Sequence, residues 1–324
     1  MPRTASLRPL TASVLLALAT VACAAGPARA GVAPSPAPAT AADTAALRRE
    51  LEAVLRGYGG VAGVSVRNLS TGEALSIRGG ETYPSASLVK LPVLVALLDE
   101  VNRGTIRLDE RLSMIARDRV GGSGVLQMMG SGLQPTVADA AWLMITISDN
   151  TATNLLLDRI NIRTVWDKME ALGLPHTKIH SKTFIRATSI AMDSSVKYGL
   201  GVAVPDEVVR LLALLHEGRA VSPAMDSLAI AMLRANQDAT KLARWLPDTV
   251  AVAHKTGEVD ASRNDCGIIY GPDAPVAVCV MTRENRDTSY AVDNPANLLI
   301  ARVGLAVFRH YNPSARVPDP PAPR

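Results

Sequence analysis

Strand-like segments stand at both ends of this chain, and a long helical block lies between them. Alternation of apolar and polar residues predicts strands at 61–67, 73–77, 250–256, 265–270 and 275–282. In the block between them, apolar residues recur at the spacing of helices. Because strands need partners for their backbone groups, the two outer sets are predicted to pair with each other.

The pattern predicts a mixed α/β fold of the α+β kind, in which an antiparallel sheet of about five strands is flanked by helices and joined to an all-helical domain. Helices are expected at 43–55, 86–102, 136–147, 149–159, 162–172, 205–217, 223–236 and 294–308. Residues 43–84 together with 237–312 would form the sheet domain, and residues 85–236 the helical domain. A functional site is expected in the cleft between them.

The first thirty residues have the features of a secretory signal. Arg3 and Arg8 precede the apolar stretch 10–25, and the small residues around Ala30 match a cleavage site. We therefore expect residues 1–30 to be removed and the protein to be periplasmic or secreted, without stable membrane insertion. The alternatives are an uncleaved anchor, for which the apolar stretch is short, and a lipoprotein acylated at Cys23.

Two further stretches are predicted to lack regular structure. Residues 31–42 are rich in alanine and proline, a composition typical of flexible linkers. Residues 313–324 are rich in proline and are predicted to form a disordered tail.

Composition limits the partners that this chain can have. Lys and Arg number 34 against 30 Asp and Glu, a net charge of +4, and removal of the three arginines in the leader would leave +1. With two Phe, three Trp and six Tyr and no run of five basic residues, a nucleic-acid partner is not expected. No Cys/His cluster or P-loop lysine is present, so we expect no metal and no cofactor. Separately from these absences, we expect a monomer with a small-molecule partner.

Cys266 and Cys279 are the two cysteines outside the leader. They lie in the apolar runs 265–270 and 275–281, on either side of a turn near residue 272. A hairpin at this turn would make them direct cross-strand neighbours. We favour two buried thiols, because direct cross-strand disulfides are strained and uncommon; a disulfide is the alternative.

Ser87 and Lys90 form an S-x-x-K pattern at the start of an apolar helix. Positions three apart lie on one helix face, so the lysine amine can reach the serine hydroxyl and accept its proton. The positive end of the helix favours an oxyanion and disfavours a protonated Lys90. A second S-x-x-K, from Ser194 to Lys197, is followed by no apolar helix, and we expect it to lie in a loop.

Two further patterns follow along the chain. An S-D-N at 148–150 stands between two predicted helices, where the same residue types also serve as ordinary helix caps. A K-T-G at 255–257 ends the strand 250–256, where Lys and Thr side chains can hold a carboxylate and Gly allows close approach of a ligand. Each pattern is common by itself, so the specific signal is their order and their placement on the predicted elements.

The three patterns together resemble those of the penicillin-recognising serine hydrolases, and most of all the class A β-lactamases. The resemblance covers roughly residues 43–310. It extends to Gly122–Leu126 before the S-D-N and to Thr151–Leu157 after it. The S-D-N form, rather than S-x-V or Y-x-N, points to class A.

The resemblance implies catalytic roles for three residues. Ser87 would be the acylated nucleophile, and Lys90 would be its general base. Ser148 would relay a proton to the leaving nitrogen of the β-lactam.

Substrate-binding roles are implied for residues of the same patterns. Asn150 would bind the side-chain amide of the substrate. Lys255 and Thr256, helped by Arg263, would bind the carboxylate of the β-lactam. The backbone amides of Ser87 and of Glu258, the residue after Gly257, would form the oxyanion hole.

The resemblance breaks down in the segment 175–204. Class A enzymes carry a Glu in this region that activates the water freeing the acyl-enzyme, but no Glu occurs here between Glu170 and Glu207. Spacing from Ser148 puts its expected place near Phe184. The only acid in the segment, Asp193, is a possible deacylation residue; a solvated loop aspartate is the alternative.

These observations predict an exported serine hydrolase that cleaves the β-lactam amide through an acyl-enzyme on Ser87. Without a positioned base, deacylation is slowed by roughly 10²–10⁴-fold, so turnover depends on support from Lys90 or Asp193. The alternatives are a D,D-peptidase or esterase of the same fold, and a sensor that binds a β-lactam without turnover.

Overall fold

The computed structural model describes residues 41–317 and 319–320. The predicted signal peptide at 1–30, its cleavage near Ala30, Cys23 and most of the linker, 31–40, lie outside the described residues. Every helix among the described residues is too short or too polar to cross a membrane.

Nine α-helices are present in the described part of the chain. They are α1 (Ala41–Leu55), α2 (Lys90–Asn102), α3 (Val137–Thr146), α4 (Asn150–Ile160), α5 (Ile162–Ala171), α6 (Met192–Tyr198), α7 (Pro205–His216), α8 (Pro223–Arg234) and α9 (Pro295–Tyr311). Short 3₁₀ turns lie at Ala86–Val89, Ala116–Asp118, Leu126–Met128 and Arg186–Thr188. All of these α-helices except α6 correspond to helices predicted from the sequence.

Eight strands form two sheets within the described ranges. They are β1 (Val61–Asn68), β2 (Ala74–Ile77), β3 (Tyr83–Pro84), β4 (Lys178–Ile179), β5 (Gly201–Ala203), β6 (Ala251–Val259), β7 (Ser262–Tyr270) and β8 (Pro275–Arg283). The larger sheet is antiparallel and has the order β2-β1-β8-β7-β6. Pairing of β1 with β8 joins the two ends of the chain, so the prediction of one antiparallel sheet built from both ends is confirmed.

The large sheet is buried on both faces. Because side chains alternate along a strand, Val64 and Val278 point to one face, where they pack with α1 and α9. Ala253, Ile268 and Met281 point to the other face and join the core of the helical block. Each fully buried aliphatic side chain of this size contributes about 1.5–3 kcal/mol.

Helix α2 runs through the centre of the helical block. Its residues from Lys90 to Asp99 are buried, which explains why its sequence is apolar on all sides and not along one stripe. Pro92 falls in the first turn, where its missing N–H costs no helical hydrogen bond. The helix therefore gives the turn at its N-terminus a rigid support.

The described residues belong to one compact unit. The sheet and the helices share a core on one face of the sheet, since Ala253 and Ile268 pack in the same cluster as Leu91 and Leu94. The division into a sheet domain and a helical domain, each with the predicted bounds, stays a prediction.

Cys266 and Cys279 form a disulfide, so the prediction of two thiols is wrong. The hairpin of β7 and β8 places the two cysteines directly opposite each other, as the sequence predicts. Their Cα atoms are 3.9 Å apart, and both side chains face the buried core of the helical block. At this separation, the two sulfur atoms are near enough to form the disulfide bond.

Two elements in the segment 175–204 differ from the prediction. A small sheet of order β3-β5-β4 forms where the sequence shows no strand pattern, because its strands are only two or three residues long. The second S-x-x-K, predicted to be in a loop, lies on the seven-residue helix α6. Too short to show helical periodicity, α6 gave no signal in the sequence.

The first residues of the predicted tail contact the body of the protein. Ser314 Oγ donates to the Asp273 carboxylate at 2.6 Å. Arg309 donates to the Val317 carbonyl at 3.1 Å and to Asp319 at 2.9 Å. Ser314, Val317 and Asp319 therefore contact the body of the protein, and the disordered tail at 313–324 stays a prediction.

Candidate active site

Ser87 lies in the 3₁₀ turn Ala86–Val89, directly ahead of α2. In such a turn, residues three apart lie above one another, so Ser87 and Lys90 face the same side. Ala86 has φ +45°, a left-handed conformation that L residues rarely adopt and that often marks a functional turn. Ser87 is half-buried and Lys90 is fully buried.

Strands β6 and β7 fix this turn from the other side. Asn264 Nδ2 donates to the carbonyls of Pro84 at 2.9 Å and Ser85 at 3.1 Å. Opposite Asn264 in the register lies Gly257. A Cβ added to Gly257 would lie 2.6 Å from the Ser85 oxygen and 3.0 Å from the Ser87 nitrogen. Glycine is therefore required for β6 to approach the Ser87 turn so closely.

The Lys90 side chain connects the nucleophile turn to the S-D-N junction. Its Nζ lies 2.6 Å from the Ser148 carbonyl oxygen, 3.0 Å from Ser148 Oγ and 2.7 Å from Asn150 Oδ1. Burial lowers the pKa of Lys90 well below its ordinary value, and the charge of Lys255 lowers this pKa further. A buried lysine amine of lowered pKa is suited to accept a proton.

The S-D-N residues form a tight junction between α3 and α4. Ser148 has φ +58°, which turns the chain sharply before α4. The Asp149 carboxylate accepts hydrogen bonds from the backbone nitrogens of Val125, Leu126 and Ala152 at 2.7, 2.9 and 2.8 Å. Asp149 is therefore fully engaged in holding the junction against the 120–126 loop.

Lys255 reaches the same junction from β6. Its Nζ lies 3.2 Å from Ser148 Oγ and 2.8 Å from the Thr256 carbonyl oxygen. Burial lowers the pKa of Lys255 to about 8, a shift opposed by the nearby carboxylates of Asp238 and Asp265. The Ser148 hydroxyl is thus bonded to two lysine side chains, one on each side of the junction.

A cavity of about 270 Å³ opens over these groups. It is lined by Ser87, Ser123, Thr146, Ile147, Ser148, Asn236, Gln237, Asp238, Thr256, Gly257 and Glu258. Five of the predicted site residues, Ser87, Ser148, Thr256, Gly257 and Glu258, therefore share one cavity. Lys90 and Lys255 lie buried beside it, in contact with Ser148.

Comparison with known proteins agrees with this geometry. The model of a family described as the beta-lactamase enzyme family matches residues 46–311. The chain belongs to this family. It is a serine β-lactamase-like hydrolase, and the resemblance to class A enzymes is confirmed.

Individual relatives cover most of the chain. A beta-lactamase of Streptomyces fradiae is 28% identical over 308 residues, which are 90% of this chain and 92% of that protein. The crystal structure of a beta-lactamase from Sphaerobacter thermophilus has a TM-score of 0.73 and 28% identity, covering 82% of this chain and 96% of that one. PBP-A, at 26% identity and a TM-score of 0.72 over 82% of this chain and 95% of its own, has also been solved as a variant in an acyl-enzyme complex with penicillin G.

The Asn150 side chain makes two hydrogen bonds to other residues of the site. Its Oδ1 accepts from Lys90, and its Nδ2 donates to the Gly121 carbonyl at 3.0 Å. The side chain is buried and does not line the cavity. Its predicted role as a ligand of the substrate amide stays a prediction.

Arg263 is not placed in the cavity, where the resemblance expects it. The side chain is fully buried, and its guanidinium donates to the carbonyls of Asp260 and Ser262, both at 2.8 Å. It also donates to the carbonyls of Thr288 at 3.2 Å and Ser289 at 2.7 Å. These four backbone contacts fasten the β6–β7 turn to the 288–289 loop. Arg263 Nε also lies 3.7 Å from Glu258 Oε2, a carboxylate that lines the cavity.

Lys241 is the charged residue at this site that sequence reasoning missed. Its buried Nζ lies 2.7 Å from Asp238 and 3.4 Å from Glu258, two carboxylates that line the cavity. Charged partners lower the pKa of Asp238 despite its burial. Lys241 lies in an irregular loop, and no spacing in the sequence relates it to the K-T-G.

Asp193 is the other predicted residue that the structure does not bring to the site. It is exposed on α6 and does not line the cavity. Phe184, where spacing puts the missing Glu, is 73% exposed and does not line the cavity, but its ring lies near Gly122 and Asn150. A Cβ added to Gly122 would lie 3.0 Å from a Phe184 ring carbon and 2.8 Å from Asn150 Nδ2. None of the residues 175–204, all of which the structure describes, lines the cavity, so no carboxylate of this segment reaches it.

Proposed function

We propose that this protein hydrolyses the β-lactam amide through an acyl ester on Ser87. The observation that carries the proposal is the shared cluster of Ser148 Oγ with the Nζ atoms of Lys90 and Lys255, beside a cavity onto which Ser87 opens. A base, a proton relay and a cation for the substrate carboxylate are all present in this cluster.

Acylation follows from these positions. Ser87 Oγ attacks the lactam carbonyl carbon, and the hydroxyl proton passes to the Lys90 amine. The backbone N–H groups of Ser87 and Glu258 stabilise the oxyanion. Collapse of the tetrahedral intermediate breaks the C–N bond, and the nitrogen takes a proton through the Ser148 hydroxyl, leaving a Ser87 ester.

The substrate carboxylate is proposed to bind at Lys255 and Thr256. Lys255 carries a proton below about pH 8, and Thr256 lines the cavity beside it. The help of Arg263 in this role stays a prediction, since its guanidinium is bonded to four backbone carbonyls. Lys241 adds positive charge nearby, but its pairing with Asp238 and Glu258 neutralises it.

Deacylation is the step for which this site supplies the fewest catalytic groups. Hydrolysis needs a water on the ester carbon and a base for its proton, and the segment 175–204 supplies no carboxylate to the cavity. Asp238 and Glu258 also line the cavity, but both are paired with Lys241. Lys90, neutral once it has passed its proton on, is the base that we assign to this step. We therefore propose slow turnover.

Two alternatives use the same residues. A D,D-peptidase or esterase would form the same Ser87 ester from a peptide or an ester. A sensor that traps β-lactams is favoured by one observation, the absence of any carboxylate of the segment 175–204 from the lining of the cavity. The proposed setting is outside the cytoplasm, after removal of residues 1–30, with the protein acting as a monomer in antibiotic resistance.

Mixing the purified protein with a chromogenic cephalosporin separates these functions. Sustained colour development is expected for a β-lactamase, and a stoichiometric burst with a mass adduct on Ser87 for a sensor. Activity on a D-Ala-D-Ala peptide assayed in parallel identifies the peptidase. Absence of both turnover and adduct at millimolar substrate contradicts the β-lactam proposal.

A further inference from the structure

The segment that lacks the expected Glu is fastened to helix α4 by the backbone of Thr183 and by an ion pair between Lys182 and Asp158. Asn154 Oδ1 accepts from the Thr183 nitrogen at 2.8 Å, and Asn154 Nδ2 donates to the Thr183 carbonyl at 3.0 Å. Both residues are buried. Thr183 is thus held by both of its backbone groups in a single position.

This point lies next to the base of the site. Asn154 follows Asn150 by four residues on α4, so it lies about 6 Å along the helix on the same face. Asn150 Oδ1 is bonded to Lys90. The ring of Phe184, the residue after Thr183, lies against Gly122 beside Asn150 Nδ2. Thr183 therefore sits between two contacts that both lead to the Lys90 side of the site.

The Thr183 hydroxyl is buried and makes no hydrogen bond to the described residues. Thr183 is 5% exposed. A buried hydroxyl without a partner is unfavourable, and such groups in proteins commonly bind an ordered water. Phe184 also has φ +58°, a strained conformation of the kind that accumulates at functional sites.

We infer that the Thr183 hydroxyl positions the water that hydrolyses the Ser87 ester, with Lys90 taking the proton of that water. The inference rests on the proposed function. The water oxygen forms a bond to the acyl carbon, and its proton passes to the Lys90 amine. The bond from the acyl carbon to Ser87 Oγ then breaks, and Oγ recovers the proton from Lys90. Thr183 is a positioning residue in this step, because it orients the water and exchanges no proton.

The test compares Thr183→Val with Thr183→Ser in the full mature chain. Valine keeps the shape of threonine and removes the hydroxyl, whereas serine keeps the hydroxyl. Thr164→Val, the same change on α5, is the matched control. For each protein, mass spectrometry after rapid mixing with penicillin G gives the rate at which the Ser87 adduct forms and the rate at which it disappears.

Thr183→Val is expected to form the adduct at the wild-type rate and to lose it about tenfold more slowly, the effect of one hydrogen bond. Thr183→Ser and Thr164→Val are expected to lose it at nearly the wild-type rate. An unchanged adduct lifetime in Thr183→Val overturns the inference, and so does an equal slowing of both steps. A wild-type protein that forms neither adduct nor product instead overturns the proposed function.

Discussion

The two sides of the cavity are built differently. On the side of the three motifs, Ser148 is bonded to Lys90 and Lys255, and the Ser87 turn is held by Gly257 and Asn264. The segment 175–204 is instead held to α4 by the backbone of Thr183 and by the ion pair of Lys182 with Asp158. The first side fixes reactive side chains, whereas the second fixes only the path of the chain.

This difference separates the two half-reactions. Formation of the Ser87 ester depends on groups that hold one another in place, so most changes there should be severe. Removal of the ester depends on a water and on the few groups that face it, so changes there should alter lifetime and leave acylation intact. The following experiments test that separation, in order of decreasing expected effect.

Replacing Ser87 by Ala should abolish the covalent adduct and lower kcat by on the order of 10⁶-fold, as in other serine hydrolases that lose the nucleophile. Ser194→Ala is the matched control, because Ser194 begins the second S-x-x-K on the exposed helix α6. Its kinetics should match the wild type. If Ser87→Ala kept its activity, the motif side would not be the active site.

Gly257→Ala should slow acylation by about 100-fold, the cost of displacing a reacting group by roughly 1 Å. The added Cβ would meet the Ser85 carbonyl at 2.6 Å and push β6 away from the Ser87 turn. Gly130→Ala, which meets nothing within 4 Å, is the control. Burst rates and melting temperatures distinguish a misplaced turn from a loss of fold; an unaltered burst rate would contradict the close packing.

The value of kcat/KM for an anionic β-lactam should fall as the pH rises through about 8. Lys255 has a pKa lowered to about 8, so its ammonium loses its proton above that pH and no longer attracts the substrate carboxylate. The fall should reach about tenfold by pH 9. Lys255→Arg should remove this alkaline limb, because arginine stays protonated. The same limb in both proteins would show that another group titrates.

Asp193→Asn should change the lifetime of the Ser87 adduct by less than about twofold, as expected of an exposed side chain without partners in the site. Measuring adduct decay by mass spectrometry checks this. A tenfold longer lifetime would instead make Asp193 the deacylating acid and would require α6 to move toward the cavity during turnover.

Most of the fold could be predicted because its signals are local. Helix α2 is apolar throughout, and the strands β6 to β8 alternate, so the periodicity of each is visible in the sequence. The strands β3, β4 and β5 and the helix α6 were missed, since elements of two to seven residues hold too few positions to show a period.

The candidate site was predicted to the extent that its residues stand in motifs. Ser87, Lys90, Ser148 and Lys255 are brought together as expected, and the first three stand at helix ends. Lys255 lies in the middle of β6, because this strand continues to Val259, past the end predicted at residue 256. Lys241 was missed because its relation to Glu258 exists only in space.

The sequence by itself determined the order of strands and helices, the reactive serine and lysines, and the absence of a Glu from the segment 175–204. Each of these is a property of residue type and local spacing. The tertiary structure decided that Arg263 is bonded to backbone carbonyls, that Cys266 and Cys279 pair, and that the hydroxyl of Thr183 is buried without a partner among the described residues. These depend on contacts between segments far apart in the chain, and local patterns carry no information about such contacts.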